Sequence, residues 1–115
     1  MPLLQLHTSV AVPEPKRAAL LGKLSKLVAE SIGKPEAYVM VAWREGPMSM
    51  SGEIGPAAFV DLRSIGGLSP KVNKRIMAQL CPLLEQELGV PPARTFANFT
   101  DVPASAWGHD GGTFG

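Results

Sequence analysis

The feature that most constrains this chain is a repeat at an offset of 56 residues. Gly33 recurs as Gly89, Pro35 as Pro91 and Ala37 as Ala93. Apolar positions recur with them: Leu6 with Leu62, Leu20 with Ile76, Leu24 with Leu80, Leu27 with Leu83, Val28 with Leu84 and Ile32 with Leu88. Two amphipathic helices would share leucines by chance. They would not also share their Gly and Pro stop signals at the same offset. The repeat describes one domain, 1–115, made of two copies of a supersecondary unit, about 2–45 and 58–101, followed by a tail, 102–115.

Each copy reads strand, helix, strand. Leu4, Leu6 and Thr8 alternate with Leu3, Gln5 and His7, the period of a half-buried strand. Pro13-Glu14-Pro15 opens a helix whose apolar face is Leu20, Leu24, Leu27, Val28 and Ile32, with Gly33 as its C-terminal stop. A second strand is predicted from Ala37 to Arg44, a loop over 46–56, and a third strand from about Ala57 to Ser64. Ser69 is an N-cap and Pro70 a first helical residue for a second helix through Val72, Ile76, Leu80, Leu84 and Leu88. A fourth strand follows from about Arg94 to Thr100, and Trp107 and Phe114 anchor the tail.

Two βαβ units, each with a right-handed crossover, make an α+β two-layer sandwich: a four-stranded mixed sheet with both helices on one face. The other face is left open. Leu3, Val39, Val41, Trp43 and Phe59 are read as lying on it, too apolar together to face water. The expectation is an oligomer that buries this face.

Composition narrows the function. The net charge is +1 and the basic residues are scattered, which argues against a nucleic-acid partner. No apolar run is long enough to span a membrane, and the first residues lack a secretory pattern. The lone Cys81 forms no internal disulfide and reads as an inert thiol near the core. A cytoplasmic location is the default. His7 and His109 are too few and too scattered for zinc, no phosphate-binding loop is present, and no metal or cofactor is called for. Ser64, His7 and Asp61 do not compose a triad.

One candidate for chemistry stands at the start. Pro2 is small enough for Met1 to be trimmed, which would leave a secondary amine fixed at the head of a strand. An α-amino group titrates at roughly 7.7–8.0. Apolar burial or a neighbouring cation lowers that value, so such an amine can serve as a base near neutral pH.

The chain resembles the macrophage migration inhibitory factor family of the tautomerase superfamily. The resemblance rests on Met1-Pro2, Gly33-Lys34-Pro35 before Tyr38-Val39, Pro56-Ala57-Ala58 and Leu62-Arg63-Ser64-Ile65-Gly66-Gly67. It continues through Asn98-Phe99-Thr100-Asp101-Val102, Trp107-Gly108 and Gly112-Thr113-Phe114. It implies a homotrimer with sites between subunits. Pro2 would be the catalytic base of keto–enol tautomerisation on phenylpyruvate-like or dopachrome-like compounds. Lys34 and the backbone of Ile65 would line the pocket with Pro2, and Phe96 and Asn98 would come from the neighbouring subunit. The alternative it implies is a cytokine-like interaction module that meets a receptor protein, its pocket weak or vestigial.

Three positions depart from the family pattern. Phe96 stands where the mammalian member has tyrosine, which removes a phenolic donor. The family cytokine's CxxC falls on Ala57 and Val60, so no thiol–disulfide activity is expected. The tail reads Trp107-Gly108-His109-Asp110, and His109 is read as a surface loop residue, the alternative being a place near the pocket mouth or interface.

Overall fold

The first strand, β1 (Pro2–Thr8), buries every second residue, and that alternation sets the layers. Pro2, Leu4, Leu6 and Thr8 point into the core, and Leu3, Gln5 and His7 point the other way. The computed structural model describes residues 1–115. After β1 come α1 (Glu14–Ile32), β2 (Met40–Glu45) and a hairpin of two short strands, β3 (Ser49–Met50) and β4 (Glu53–Ile54). The second half is β5 (Ala58–Ser64), α2 (Pro70–Leu88), β6 (Thr95–Asp101) and a second hairpin, β7 (Gly108–His109) with β8 (Gly112–Thr113).

The main sheet has the order β2-β1-β5-β6. β1 pairs parallel with β2, β5 pairs parallel with β6, and the two units meet where β1 and β5 run antiparallel. Both helices cover one face. The repeat holds residue by residue: α1 begins at 14 and ends at 32, α2 begins at 70 and ends at 88, each 56 further on. Leu4, Leu6, Leu20, Leu24, Leu62, Ile76, Leu80 and Leu84 form the centre of the core. Burying one such side chain is worth about 1.5–3 kcal/mol.

The helix ends follow the sequence signals. The Ser69 hydroxyl accepts the Val72 N–H at 3.1 Å, and Gly33 and Gly89 close the helices at φ 78° and 70°. Three readings need correction. The strand expected from Ala37 begins at Met40. Pro35 instead starts a 3-10 turn, Glu36–Tyr38, in which the Tyr38 N–H donates to the Pro35 carbonyl at 3.1 Å. The loop over 46–56 contains a hairpin, because Ser51 and Gly52 take positive φ values of 55° and 74° and turn the chain in two residues.

The third correction concerns the faces. β2 pairs in register with β1, so Val41 stands beside Leu4 and Trp43 beside Leu6, on the helix side. Val39, Val41 and Trp43 pack against the core, whereas Leu3 and Phe59 point the other way. The open face carries Leu3, Met40, Phe59 and Phe96 among polar neighbours such as Asp61 and Asn98. It is more mixed than the sequence suggested.

Candidate functional site

Pro2 heads a central strand, with Ser64 of β5 as its direct partner and Met40 of β2 beside the adjoining Leu3. It is buried. A cavity of about 540 Å³ opens at this end of the sheet, within the range of small-molecule sites. Met1, Pro2, Tyr38, Met40, Arg63 and Trp107 contribute to its walls, and the tail hairpin closes one side with His109 and Phe114. The hairpin turns at Asp110-Gly111, both at positive φ (48° and 81°). The Phe114 N–H returns to the Trp107 carbonyl at 3.2 Å, which holds the tail against the sheet.

The amino group at this point of the chain is perturbed. Burial, and after it the charge of Lys34, hold the Met1 amine below its ordinary value of 8.0. Lys34 is half-buried in the turn that ends α1, and its own N–H donates to the Ala29 carbonyl at 3.1 Å. It supplies no wall of the cavity, but its field reaches the amine.

Ile65 follows the strand partner of Pro2, is half-buried and is not a wall residue of the cavity. Its loop is tied down on three sides. The Ser64 hydroxyl donates to the Gly66 carbonyl at 2.7 Å, the Gly66 N–H donates to Asp101 Oδ1 at 2.9 Å, and the Val102 N–H donates to the Ser64 carbonyl at 2.9 Å. Gly67 then passes so close to the end of α1 that an added Cβ would meet Ile32 Cγ2 at 2.3 Å. This contact docks the Ile65 loop beside the turn that carries Lys34.

Phe96 and Asn98 do not reach this cavity. They lie on the edge strand β6, exposed, beside Phe59 and Asp61. Phe59 is five residues along β5 from Ser64, roughly 17 Å at 3.3 Å per residue. The chain therefore unites Pro2, Lys34 and the Ile65 loop, and leaves Phe96 and Asn98 facing outward elsewhere.

His109 is a surface residue, as read, and it also takes the alternative place, at the pocket. It is exposed, but its ring stacks on Phe114 at 5.4 Å between centroids and forms part of the cavity wall. Tyr38, Met40 and Arg63 are wall residues that sequence reasoning did not single out. The Asp110-Gly111 pair was the available signal for a turn that brings the tail back. Cys81 is half-buried on α2, and burial, with the Glu85 charge, pushes its thiol up, away from the reactive thiolate. No three His, Cys, Asp or Glu side chains gather as a metal site.

A duplicated βαβ sandwich, a four-stranded mixed sheet under two helices, is the fold of the tautomerase superfamily. The sequence model of the family described as Macrophage migration inhibitory factor (MIF) matches residues 1–115, and the chain belongs to that family. It is 40% identical over 99 residues to a macrophage migration inhibitory factor homolog of Brugia malayi, covering 85% of this chain and 86% of that one. It is 36% identical over 115 residues to a homolog of Trichuris trichiura, covering 99% and 100%. The structure superposes with a TM-score of 0.92 on the macrophage migration inhibitory factor homologue from Prochlorococcus marinus, at 38% identity and with 98% and 99% of the chains covered. No helix is long and apolar enough to cross a membrane.

Proposed function

We propose that this protein is a keto–enol tautomerase of phenylpyruvate-like acids, with the Pro2 amine as general base once Met1 is removed. The observation that carries this reading is the perturbed amino group. The amine that ends the chain beside the cavity is held below its ordinary range by burial and by Lys34. Removing Met1 moves that terminus by one residue, onto Pro2, which is itself buried. An amine whose protonation burial and the Lys34 charge oppose then faces an apolar cavity.

In the reaction, the Pro2 nitrogen takes the enol proton and returns it to the adjoining carbon, or runs the reverse. General base work of this kind is typically worth roughly 10²–10⁴-fold. Lys34, from outside the cavity wall, attracts the substrate carboxylate through its charge and opposes protonation of Pro2. The Ile65 backbone borders the reacting end, and the aromatic body lies among Tyr38, Met40 and Phe114. Phe96 and Asn98 enter from a neighbouring copy in a homotrimer. Their exposure on an edge strand and their distance from their own cavity favour that arrangement. The test is enol–keto conversion of phenylpyruvate by purified protein against Pro2→Gly. A large loss supports the base, and equal rates refute it.

A second reading, a cytokine-like module that binds a receptor protein, is favoured by Phe96. Without the phenolic hydroxyl the pocket loses a donor, and the exposed Tyr38, Met40, Ile54 and Phe96 offer contact surface. Receptor binding that survives acylation of Pro2 would favour this reading.

A further inference from the structure

The tail hairpin brings an imidazole to the wall of the cavity at Pro2. β7 and β8 pair Gly108 with Thr113 and His109 with Gly112. The hairpin is held where it ends. The Trp107 carbonyl accepts the Phe114 N–H at 3.2 Å, and a Cβ added to Gly115 would lie 2.6 Å from the backbone nitrogen of Ser105, in the 3-10 turn Ala104–Ala106. His109 is therefore presented by a short, pinned element. Its ring stacks on Phe114 with 5.4 Å between centroids and 11° between planes. The stack uses a face of the imidazole and leaves its edge, with both nitrogens, free. Neither nitrogen takes a hydrogen bond or an ion pair within its own chain.

The other polar groups of this wall offer less. The Arg63 guanidinium is paired with Asp61 at 3.1 Å. The Trp107 indole donates but does not accept. The Tyr38 hydroxyl does both, but its ring has no aromatic partner to fix it. A neutral imidazole carries one donor and one acceptor, and here the stack holds it in place. The homotrimer proposed above keeps this arrangement: it adds Phe96 and Asn98 to the cavity, and Phe96 brings no hydroxyl. His109 also stands where the chain departs from the family pattern, so its role is particular to this chain.

We propose that His109 is a specificity-determining residue of this cavity: it exchanges a hydrogen bond with a hydroxyl at the far end of an aromatic keto acid, so that hydroxyphenyl acids are preferred to phenyl ones. The inference rests on the substrate class proposed above. With the reacting end beside Pro2 and the aromatic body among Tyr38, Met40 and Phe114, the ring substituent meets the imidazole stacked on Phe114. The hydroxyl donates to the unprotonated ring nitrogen. Because His109 is exposed, the discrimination is that of one ordinary hydrogen bond.

The experiment is calorimetric titration of the full chain with two acids that have no keto group, 3-(4-hydroxyphenyl)propionate and 3-phenylpropionate. They differ by one hydroxyl. The native protein should bind the hydroxylated acid about three- to tenfold more tightly. In His109→Phe, which keeps an aromatic ring beside Phe114, that ratio should fall by the same factor. Binding of 3-phenylpropionate by the variant reports that its cavity is formed. Equal binding of the two acids by the native protein overturns the assignment, and so does an unchanged ratio in His109→Phe. Binding of neither acid overturns the substrate class, and this assignment with it. Because neither acid is turned over, a failure of Pro2 as the base leaves the ratio standing, and the two results are read separately.

Discussion

Gly67→Ala is the substitution whose effect the structure defines most sharply. Gly67 sits at φ 79°, a left-handed conformation that costs an L-residue roughly 1–2 kcal/mol. A Cβ there would lie 2.3 Å from Ile32 Cγ2 and 3.2 Å from the Ile32 carbonyl oxygen. Ile32 is buried at the end of α1, so it has little room to yield. Overpacking of that kind costs about 1–3 kcal/mol more. The neighbouring Gly66 is the control, since it has a similar φ of 70° but nothing within 4 Å of an added Cβ. Gly66→Ala should therefore lose only the backbone component. Urea unfolding at one fixed protein concentration compares the two. With a slope of about 1–3 kcal/mol/M, Gly67→Ala should unfold at a midpoint roughly 1 M lower than Gly66→Ala. Equal midpoints would refute the claim that the Ile65 loop is docked through Gly67 onto the end of α1.

Three further outcomes follow from the same geometry. Lys34→Ala removes a cation that disfavours protonation of the terminal amine, so the amine pKa rises. The low-pH limb of kcat/KM should then move to higher pH, and an unmoved limb would contradict the role given to Lys34. Phe96→Tyr restores a phenolic donor and should raise phenylpyruvate turnover by up to about tenfold, the worth of one hydrogen bond, with little change in urea midpoint. Glu87 bridges α2 to Lys23 of α1, and the hydrogen bond from Lys23 lowers its pKa. A depressed folded pKa gives stability above the unfolded value of about 4.3 that is lost as pH falls through the folded one. Glu87→Gln should flatten that part of the acid-unfolding profile, and an unaltered profile would show that the pair contributes nothing measurable.

The framework was legible because stop signals recur. Gly33 and Gly89 end the helices, Pro35 and Pro91 open the following turns, and the leucines between them mark one face of each helix. What escaped was information held in pairing. Residues Val39-Met40-Val41-Ala42-Trp43 are apolar without alternation, so the sequence has no means of saying which face Val41 and Trp43 join. Only the register of β2 on β1 puts them beside Leu4 and Leu6. The site was half legible for a related reason. Pro2 and Lys34 are close in the chain to elements whose ends are well signalled. Tyr38, Arg63 and His109 meet only after the tail returns through the turn at Asp110-Gly111. Phe96 and Asn98 face outward from one copy of the chain, so their relation to Pro2 rests on how copies assemble.

The measurement that tests the central claim most directly compares two forms of the protein, each verified by intact mass. One begins at Pro2 after loss of Met1. The other carries an alanine inserted between Met1 and Pro2, so that the Pro2 nitrogen remains an amide whatever is trimmed. If the Pro2 amine is the base, only the first form converts phenylpyruvate enol to keto above the uncatalysed rate, while both fold with the same urea midpoint. Equal turnover by the two forms would contradict the account.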